Sequence, residues 1–360
     1  MLGAPAREDA AGRIMTGPRQ TRVGVIGLGR AGRVHLDAWR ALPEVEVVAV
    51  ADPSPDVVQA ARAEGLAVTT ATRELLGMSE LDAVSICAPP VHHAPLAIAA
   101  LERGLHVLCE KPLGTRSDGA MRMVLTAARN CRHLLIATKF RHVPDVIAAR
   151  ELIAGGAIGE PLAFEIDFSS RVDMSGRWNA LRSIAGGGVV IDNGSHAFDL
   201  AAFLLGPVTS VHATQLRPAQ ALGVEDSATV LVEIGGGLIG RIELSWSLAT
   251  QRETYVMVHG TKGSIDLGWR QSRLRVAGTE PRPLLAGVYD RHESHVSMMR
   301  AFVAVVAGAR TPWISPGDCL RTVAAVDASY RSLRSGGWVA VECADLPIAG
   351  EPAARLRAHA

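Results

Sequence analysis

Residues 22–32 read Arg22-Val23-Gly24-Val25-Ile26-Gly27-Leu28-Gly29-Arg30-Ala31-Gly32, and Val34, Trp39 and Leu42 follow at helical spacing. The pattern is strand, glycine turn, helix. In such a unit the first glycine permits the tight turn, the second lets backbone approach a pyrophosphate, and the third lets the helix pack on the strand. The helix start at Arg30 and Ala31 offers unpaired N–H groups and a positive dipole end to the phosphates. A second strand, 45–50, stops at Asp52, about twenty residues on, where a ribose-binding acid is expected. A carboxylate there accepts from both ribose hydroxyls and repels a 2'-phosphate, so the spacing favours NAD over NADP. A turn-capping role before Pro53 explains Asp52 alone but not the whole arrangement.

The alternation of strand and helix continues. Residues 83–87 read as a strand buried on both faces of a parallel sheet, ending in Ala88-Pro89-Pro90 on the ligand side. His92 and His93 open the next helix, either as simple helix-start residues or with a role at the nicotinamide. The strand 105–109 then delivers Glu110-Lys111-Pro112 to the same edge, so Lys111 projects toward the cofactor cleft. Proline fixes the lysine's direction, and the turn-like context makes the Lys111–Pro112 bond a candidate for the cis form. A helix over 117–130 and a strand over 133–138 complete a doubly wound unit. Lys139-Phe140-Arg141-His142-Val143-Pro144 leads into a helix that breaks at Gly155-Gly156 and serves as the hinge. Arg141 and His142 are either substrate contacts at the cleft mouth or a strand-end cation and a turn residue.

From Pro161 the period changes to two. Phe164, Ile166 and Phe168 alternate with Glu165 and Asp167, and later runs at 208–214, 228–234, 238–247, 255–258 and 264–267 behave likewise. Glycines at 235–237, 260 and 263 mark hairpins, which predicts an open, largely antiparallel sheet. In 238–247 one face carries Ile242, Leu244 and Trp246, and the other Arg241, Glu243, Ser245 and Ser247. The stretch Gly186-Gly187-Gly188-Val189-Val190-Ile191-Asp192-Asn193-Gly194-Ser195-His196-Ala197-Phe198-Asp199 puts Asp192, Ser195, His196 and Asp199 on one helical stripe among apolar flanks. A polar stripe on a buried helix is costly unless paired or used. The preceding loop holds Arg171, Arg177, Trp178 and Arg182, which either grip a sugar ring and a phosphate, as of a nucleotide sugar, or form a solvated basic segment. Helices over 292–307 and 316–335 cover the sheet or return to the first domain.

The 360 residues are 48% hydrophobic with a net charge of +1, enough for two cores and no field for nucleic acid or an acidic membrane surface. Five scattered cysteines show neither a disulfide framework nor metal spacing and fit a reducing cytoplasm. No metal site and no membrane span are expected. The expected domains are a disordered leader at 1–20 with Met15 as an alternative start, an NAD-binding Rossmann domain at 21–143, a substrate-binding and oligomerisation domain at 144–345, and a mobile tail at 346–360.

The Gly27-x-Gly29-x-x-Gly32 turn, Asp52, Glu110-Lys111-Pro112 and the Gly-Gly-Gly stretch through Asp192, Gly194, His196 and Asp199 occur in order across both domains. Together they resemble the Gfo/Idh/MocA family of oxidoreductases, over about 22–342. The resemblance implies an α/β fold with an N-terminal doubly wound Rossmann sheet and a C-terminal α+β domain with an open antiparallel sheet, through which homodimers or homotetramers assemble. It implies catalytic positions at Lys111, Asp192 and His196. The same reading puts cofactor contacts at Gly27, Gly29, Arg30, Ala31, Gly32, Asp52, Pro89, His92, Glu110 and Lys111. Substrate contacts are expected at Lys111, Arg141, His142, Arg177, Trp178, Asp192, Asn193 and His196. Lys111 would stabilise an alkoxide, and either it or His196 would be the base. The expected activity is hydride transfer between NAD and a sugar, cyclitol or nucleotide-linked sugar. A biosynthetic keto-sugar reductase, a redox-neutral enzyme with recycled NAD and a non-catalytic sensor are the alternatives; three intact catalytic side chains argue against the sensor.

Overall fold

The computed structural model describes residues 7–8, 14–15, 19–250, 252–284 and 286–343. The expected leader lies largely, and the expected tail wholly, outside them. The first sheet is built from β1 (Thr21–Ile26), β2 (Val45–Ala51), β3 (Val68–Thr69), β4 (Ala83–Ile86), β5 (His106–Cys109) and β6 (Leu134–Ile136). All its neighbours are parallel, in the order β3-β2-β1-β4-β5-β6. Helices α1 (Arg30–Arg40), α2 (Pro55–Ala63), α3 (Thr72–Leu76), α4 (His93–Glu102) and α5 (Ser117–Arg129) make the crossovers. Strand order reverses between β1 and β4, which opens a crevice outside their carboxyl ends, and both the glycine turn and Ala88-Pro89-Pro90 lie there.

After α6 (Pro144–Ala154) comes β7 (Pro161–Ser169), then the short α7 (Arg182–Ala185) and the long α8 (Val189–Leu205). Strands β8 (Val208–Gln215), β9 (Ser227–Ile234), β10 (Leu238–Ser245), β11 (Thr254–Gly260), β12 (Gly263–Gly268), β13 (Arg273–Val276) and β14 (Arg282–Pro283) follow. With a final β15 (Val339–Ala340) they form a nine-stranded sheet ordered β14-β13-β12-β11-β7-β10-β9-β8-β15. Every pair is antiparallel except β7 with β10. The period-two pattern explains which face is covered: Phe164, Ile166, Ile242 and Leu244 are buried in the second core with Phe198 and Leu200 of α8. Ser245, read as facing outward, is instead buried, because its hydroxyl pairs with that of Ser227 at 2.7 Å on the neighbouring strand.

Of the last long helices, α9 (Arg291–Val306) packs into the first core and α10 (Pro316–Ser335) contributes to both. Phe302 of α9 meets Trp39 of α1 edge to face with ring centroids 6.0 Å apart, a contact worth about 1 kcal/mol beyond area burial. Val296, Met299 and Val323 join the core of the first sheet, while Ala325, Val326 and Ala328 join that of the second. A capping box between Ser315 and Asp318 starts α10 and the left-handed Gly336 ends it. Among the described residues no helix is long and apolar enough to cross a membrane.

Candidate active site

A cleft of about 940 Å³ separates the carboxyl edge of the first sheet from α8 and the loop before it. Gly27 has φ +88°, and a Cβ on it would lie 2.9 Å from the backbone of Cys87 and Ala88. A Cβ on Gly32 would sit 1.9 Å from the Gly27 carbonyl oxygen. Both glycines are therefore demanded by packing, and Gly32 lies behind the cleft wall. Gly29 differs: a Cβ there would meet nothing within 4 Å, so bare backbone faces the open cleft, as close approach of a pyrophosphate requires. Arg30 and Ala31 line the cleft beside it. The Asp52 carboxylate accepts from the backbone of Leu28 at 2.7 Å and of Ser54 at 2.9 Å, which braces the turn while Asp52 remains on the wall. These residues fit a bound dinucleotide.

Lys111 is held at its backbone and at its tip. Its N–H donates to Glu110 Oε2 at 2.9 Å, and Glu110 Oε1 lies 3.0 Å from His35 Nε2, whose Nδ1 lies 2.7 Å from Ser85 Oγ. Burial opposes charge on His35, yet Cys87 and Glu110 outweigh it and raise its pKa to about 10. Burial also works against the Glu110 carboxylate, but His35 and Lys111 hold it well below the usual carboxylate range. The Lys111–Pro112 peptide is cis. Lys111 Nζ spans the cleft to the Asp192 carboxylate and donates to the Asp192 carbonyl oxygen at 3.1 Å.

Helix α8 starts without a capping side chain of its own. The buried Glu225 replaces it, accepting from the N–H groups of Gly188 at 2.9 Å and Val190 at 3.1 Å and from the Tyr330 hydroxyl at 2.7 Å. A Cβ on Gly187 or Gly188 would lie 1.8 Å from Tyr330 or 2.0 Å from the Glu225 carbonyl oxygen, which explains the glycine run. Asp192 falls in the first turn of the helix, where its charge meets the positive end of the dipole. His196 follows one turn later, its ring edge-on to Phe140 at 5.2 Å, with no hydrogen-bond partner for its nitrogens among the described residues. Burial, then the cations Lys111 and Lys139, lower its pKa well below the ordinary value, so it is neutral at neutral pH. Asn193 donates to the Phe168 carbonyl at 2.9 Å and also lines the cleft.

The structure departs from the sequence reading at several of the expected contacts. The 3₁₀ turn Lys139–His142 presents Lys139 to the cleft and turns Arg141 and His142 into the protein. Arg141 is buried and donates to both Asp199 carboxylate oxygens at 3.0 and 3.1 Å and to the Trp313 carbonyl at 2.9 Å. Asp199 thus leaves the expected polar stripe to serve an ion pair, and neither Arg141 nor His142 reaches the cleft mouth. His142 stacks on Trp313 at 5.8 Å. Of the loop, Arg177 and Trp178 line the wall, but Arg182 packs over Tyr330 and Arg171 is not on the lining. Pro89 and the exposed His92 are on the wall, whereas the buried His93 lies 2.7 Å from each of the Ala88 and Pro112 carbonyls. Lys139, Trp246, Arg291 and His295 also line the cleft and were not singled out. Lys139 carried a usable signal, since it follows β6 at the edge that delivers Lys111; His295 arrives from a remote helix with no local signal.

Acid should loosen the fold through its histidines. Burial, with Arg310 and Arg141, holds His142 at about 3, and burial, with His35, holds His295 at about 4. Both bind protons near pH 6.5 when unfolded, so stability falls with pH below 6.5, at about 1.4 kcal/mol per unit for each. The raised His35 gains its full contribution only below 6.5 and so offsets a minor part of the loss between pH 7 and 5, while the Glu110 contribution is lost only below its unfolded value of 4.5. Melting at pH 5 should occur roughly 5–10 °C below that at pH 7, with a smaller gap in His142→Asn. Equal melting temperatures at the two pH values would contradict this.

Residues 21–138 match the family model described as "Oxidoreductase family, NAD-binding Rossmann fold", and residues 146–266 match "GFO/IDH/MocA C-terminal domain". The chain is 30% identical over 333 residues to a D-apiose dehydrogenase of Paraburkholderia graminis, covering 88% of each. It is 31% identical over 297 residues to a levoglucosan dehydrogenase of Pseudarthrobacter phenanthrenivorans, covering 71% of this chain and 75% of the relative. The solved structure of a levoglucosan dehydrogenase in complex with NADH and levoglucosan superposes with a TM-score of 0.82 at 24% identity, covering 90% of this chain and all of that one, a likeness of fold.

Proposed function

Because the chain belongs to the Gfo/Idh/MocA family of oxidoreductases and carries an NAD-binding Rossmann domain, we propose that it oxidises a secondary hydroxyl of a sugar or cyclitol. The observation that carries this reading is the Lys111–Asp192 ion pair spanning the cleft, with His196 one helical turn beyond. NAD bound along the glycine turn supplies the acceptor for a hydride from the carbinol carbon. Lys111, fixed through Glu110, donates to the reacting oxygen and stabilises developing alkoxide charge. His196, neutral and without a competing partner, takes the hydroxyl proton and passes it to solvent. The carbinol hydrogen leaves with the electron pair of its C–H bond as hydride, the hydroxyl proton leaves through His196, and a ketone remains. In the reverse reduction a proton taken up by His196 is returned to the carbonyl oxygen, so the same groups serve both directions. Asp192 directs the ammonium and accepts from a neighbouring substrate hydroxyl.

The uncovered face of the second sheet exposes Leu231 and Ile239 beside the Arg241–Glu165 pair, and we assign a homodimer or homotetramer contact to it. The test of function is reduced-nicotinamide absorbance with NAD or NADP and a panel of free sugars, cyclitols and nucleotide sugars. The expected result is signal with sugars or cyclitols, faster with NAD because Asp52 repels a 2'-phosphate. Silence across the panel with NAD tightly held would favour a redox-neutral enzyme or a sensor.

A further inference from the structure

The charges lining the cleft do not balance. Its acids are Asp52, Glu110 and Asp192, and each is engaged: Asp52 by two backbone N–H groups, Glu110 by His35 and Asp192 by Lys111. Among the described residues Arg30, Lys139, Arg177 and Arg291 line the same cleft with no salt bridge to a carboxylate, and Arg30 belongs to the exposed dinucleotide turn. Arg177 and Arg291 are exposed at the rim, but Lys139 is half-buried. Its Nζ lies 5.4 Å from the Phe140 ring centroid and 5.3 Å from that of Tyr289, and Phe140 is the ring that meets His196. The extra cation thus stands at the reacting end, next to the base. An ammonium partly withdrawn from water is costly without a counter-charge, and the two aromatic faces compensate only in part. Rim arginines add an attractive field for an incoming anion.

We propose that the substrate is a polyhydroxy acid, an aldonate or uronate whose carboxylate pairs with Lys139 while a secondary hydroxyl lies between Lys111 and His196. This rests on the dehydrogenase reading above. The carboxylate is a binding group and keeps its atoms; the carbinol loses a hydride to NAD and a proton to His196. A single half-buried cation matches one carboxylate, and a sugar phosphate shares the anionic chemistry, so the test contains both.

The experiment compares kcat/KM for NADH formation on matched skeletons: gluconate and glucuronate against glucose, galactonate and galacturonate against galactose, and glucose 6-phosphate. The best acid should exceed its neutral parent by at least about ten-fold, the worth of one charge-assisted hydrogen bond. Lys139→Met should collapse that ratio mainly through KM, and Lys139→Arg should restore most of it. Preference for the neutral sugars, or a ratio indifferent to Lys139→Met, overturns the inference and leaves the dehydrogenase reading standing. Preference for the phosphate ester overturns the carboxylate assignment. NADH from none of these compounds leaves the dehydrogenase reading to the wider panel with cyclitols and nucleotide sugars. Melting with NADH present then decides the inference: stabilisation by the acids in wild type and not in Lys139→Met supports it, and no stabilisation overturns it.

Discussion

Lys111→Ala is expected to lower kcat/KM by about 10³-fold while NAD binding survives. The magnitude comes from two losses at one atom. In the proposed mechanism the ammonium is the donor that stabilises a developing alkoxide, and in a partly water-excluded cleft one such donor is worth about 10²–10³ in rate. Its removal also leaves the Asp192 carboxylate without its partner, so a negative charge faces the oxygen on which negative charge develops. The proposed cofactor contacts at Gly29, Arg30 and Asp52 lie elsewhere on the wall, which is why dinucleotide affinity should hold. Steady-state NADH formation read beside an NADH fluorescence titration separates the two effects. The fall should appear in kcat more than in KM, since the interaction is strongest in the transition state. Lys111→Arg should recover little, because a planar fork replaces a point donor whose backbone is fixed by Glu110. An unchanged kcat in Lys111→Ala would remove this residue from the reacting oxygen.

The largest effect on stability is expected away from the chemistry, at Arg141. Its side chain and that of Asp199 are 4% and 3% exposed, and the guanidinium also satisfies the Trp313 carbonyl. Arg141→Met leaves a buried carboxylate uncompensated, a loss of about 3–5 kcal/mol. Replacing both partners, Arg141→Met with Asp199→Leu, should regain most of that, since a buried ion pair exchanged for apolar groups of similar volume is often near neutral. Urea unfolding of the two variants, with slopes compared to exclude a change in the unfolded state, makes the measurement. A double variant as unstable as the single one would show that the position does something other than compensate Asp199.

Sequence reasoning reached furthest where chemistry is local. A glycine turn, an acid at the end of the next strand and a lysine locked before proline each carry their meaning within a few residues, and so do the period-two strands of the second sheet. The reading of Arg141 went astray for a physical reason: a cation near a cleft and a cation buried against a remote aspartate look alike until the partner is known. Asp199 was visible on the helical stripe, but the 3₁₀ turn that swings Arg141 toward it, and Lys139 away, leaves no mark in composition. Glu225 shows the same limit from the other side. It caps a helix that begins more than thirty residues earlier, and only the three glycines, each too crowded for a side chain, hinted that something large must pass close by.

Translation begins at the amino end, yet Trp39 acquires its ring partner Phe302 only when α9 has been made. The nucleotide-binding unit therefore spends most of the chain's synthesis with one flank of its interior open, and it closes after the second sheet rather than before it. During that interval the exposed apolar flank is what a chaperone would recognise. A cut made between the two sheets would accordingly release an unfinished half with a hydrophobic wound, not a small independent NAD-binding protein.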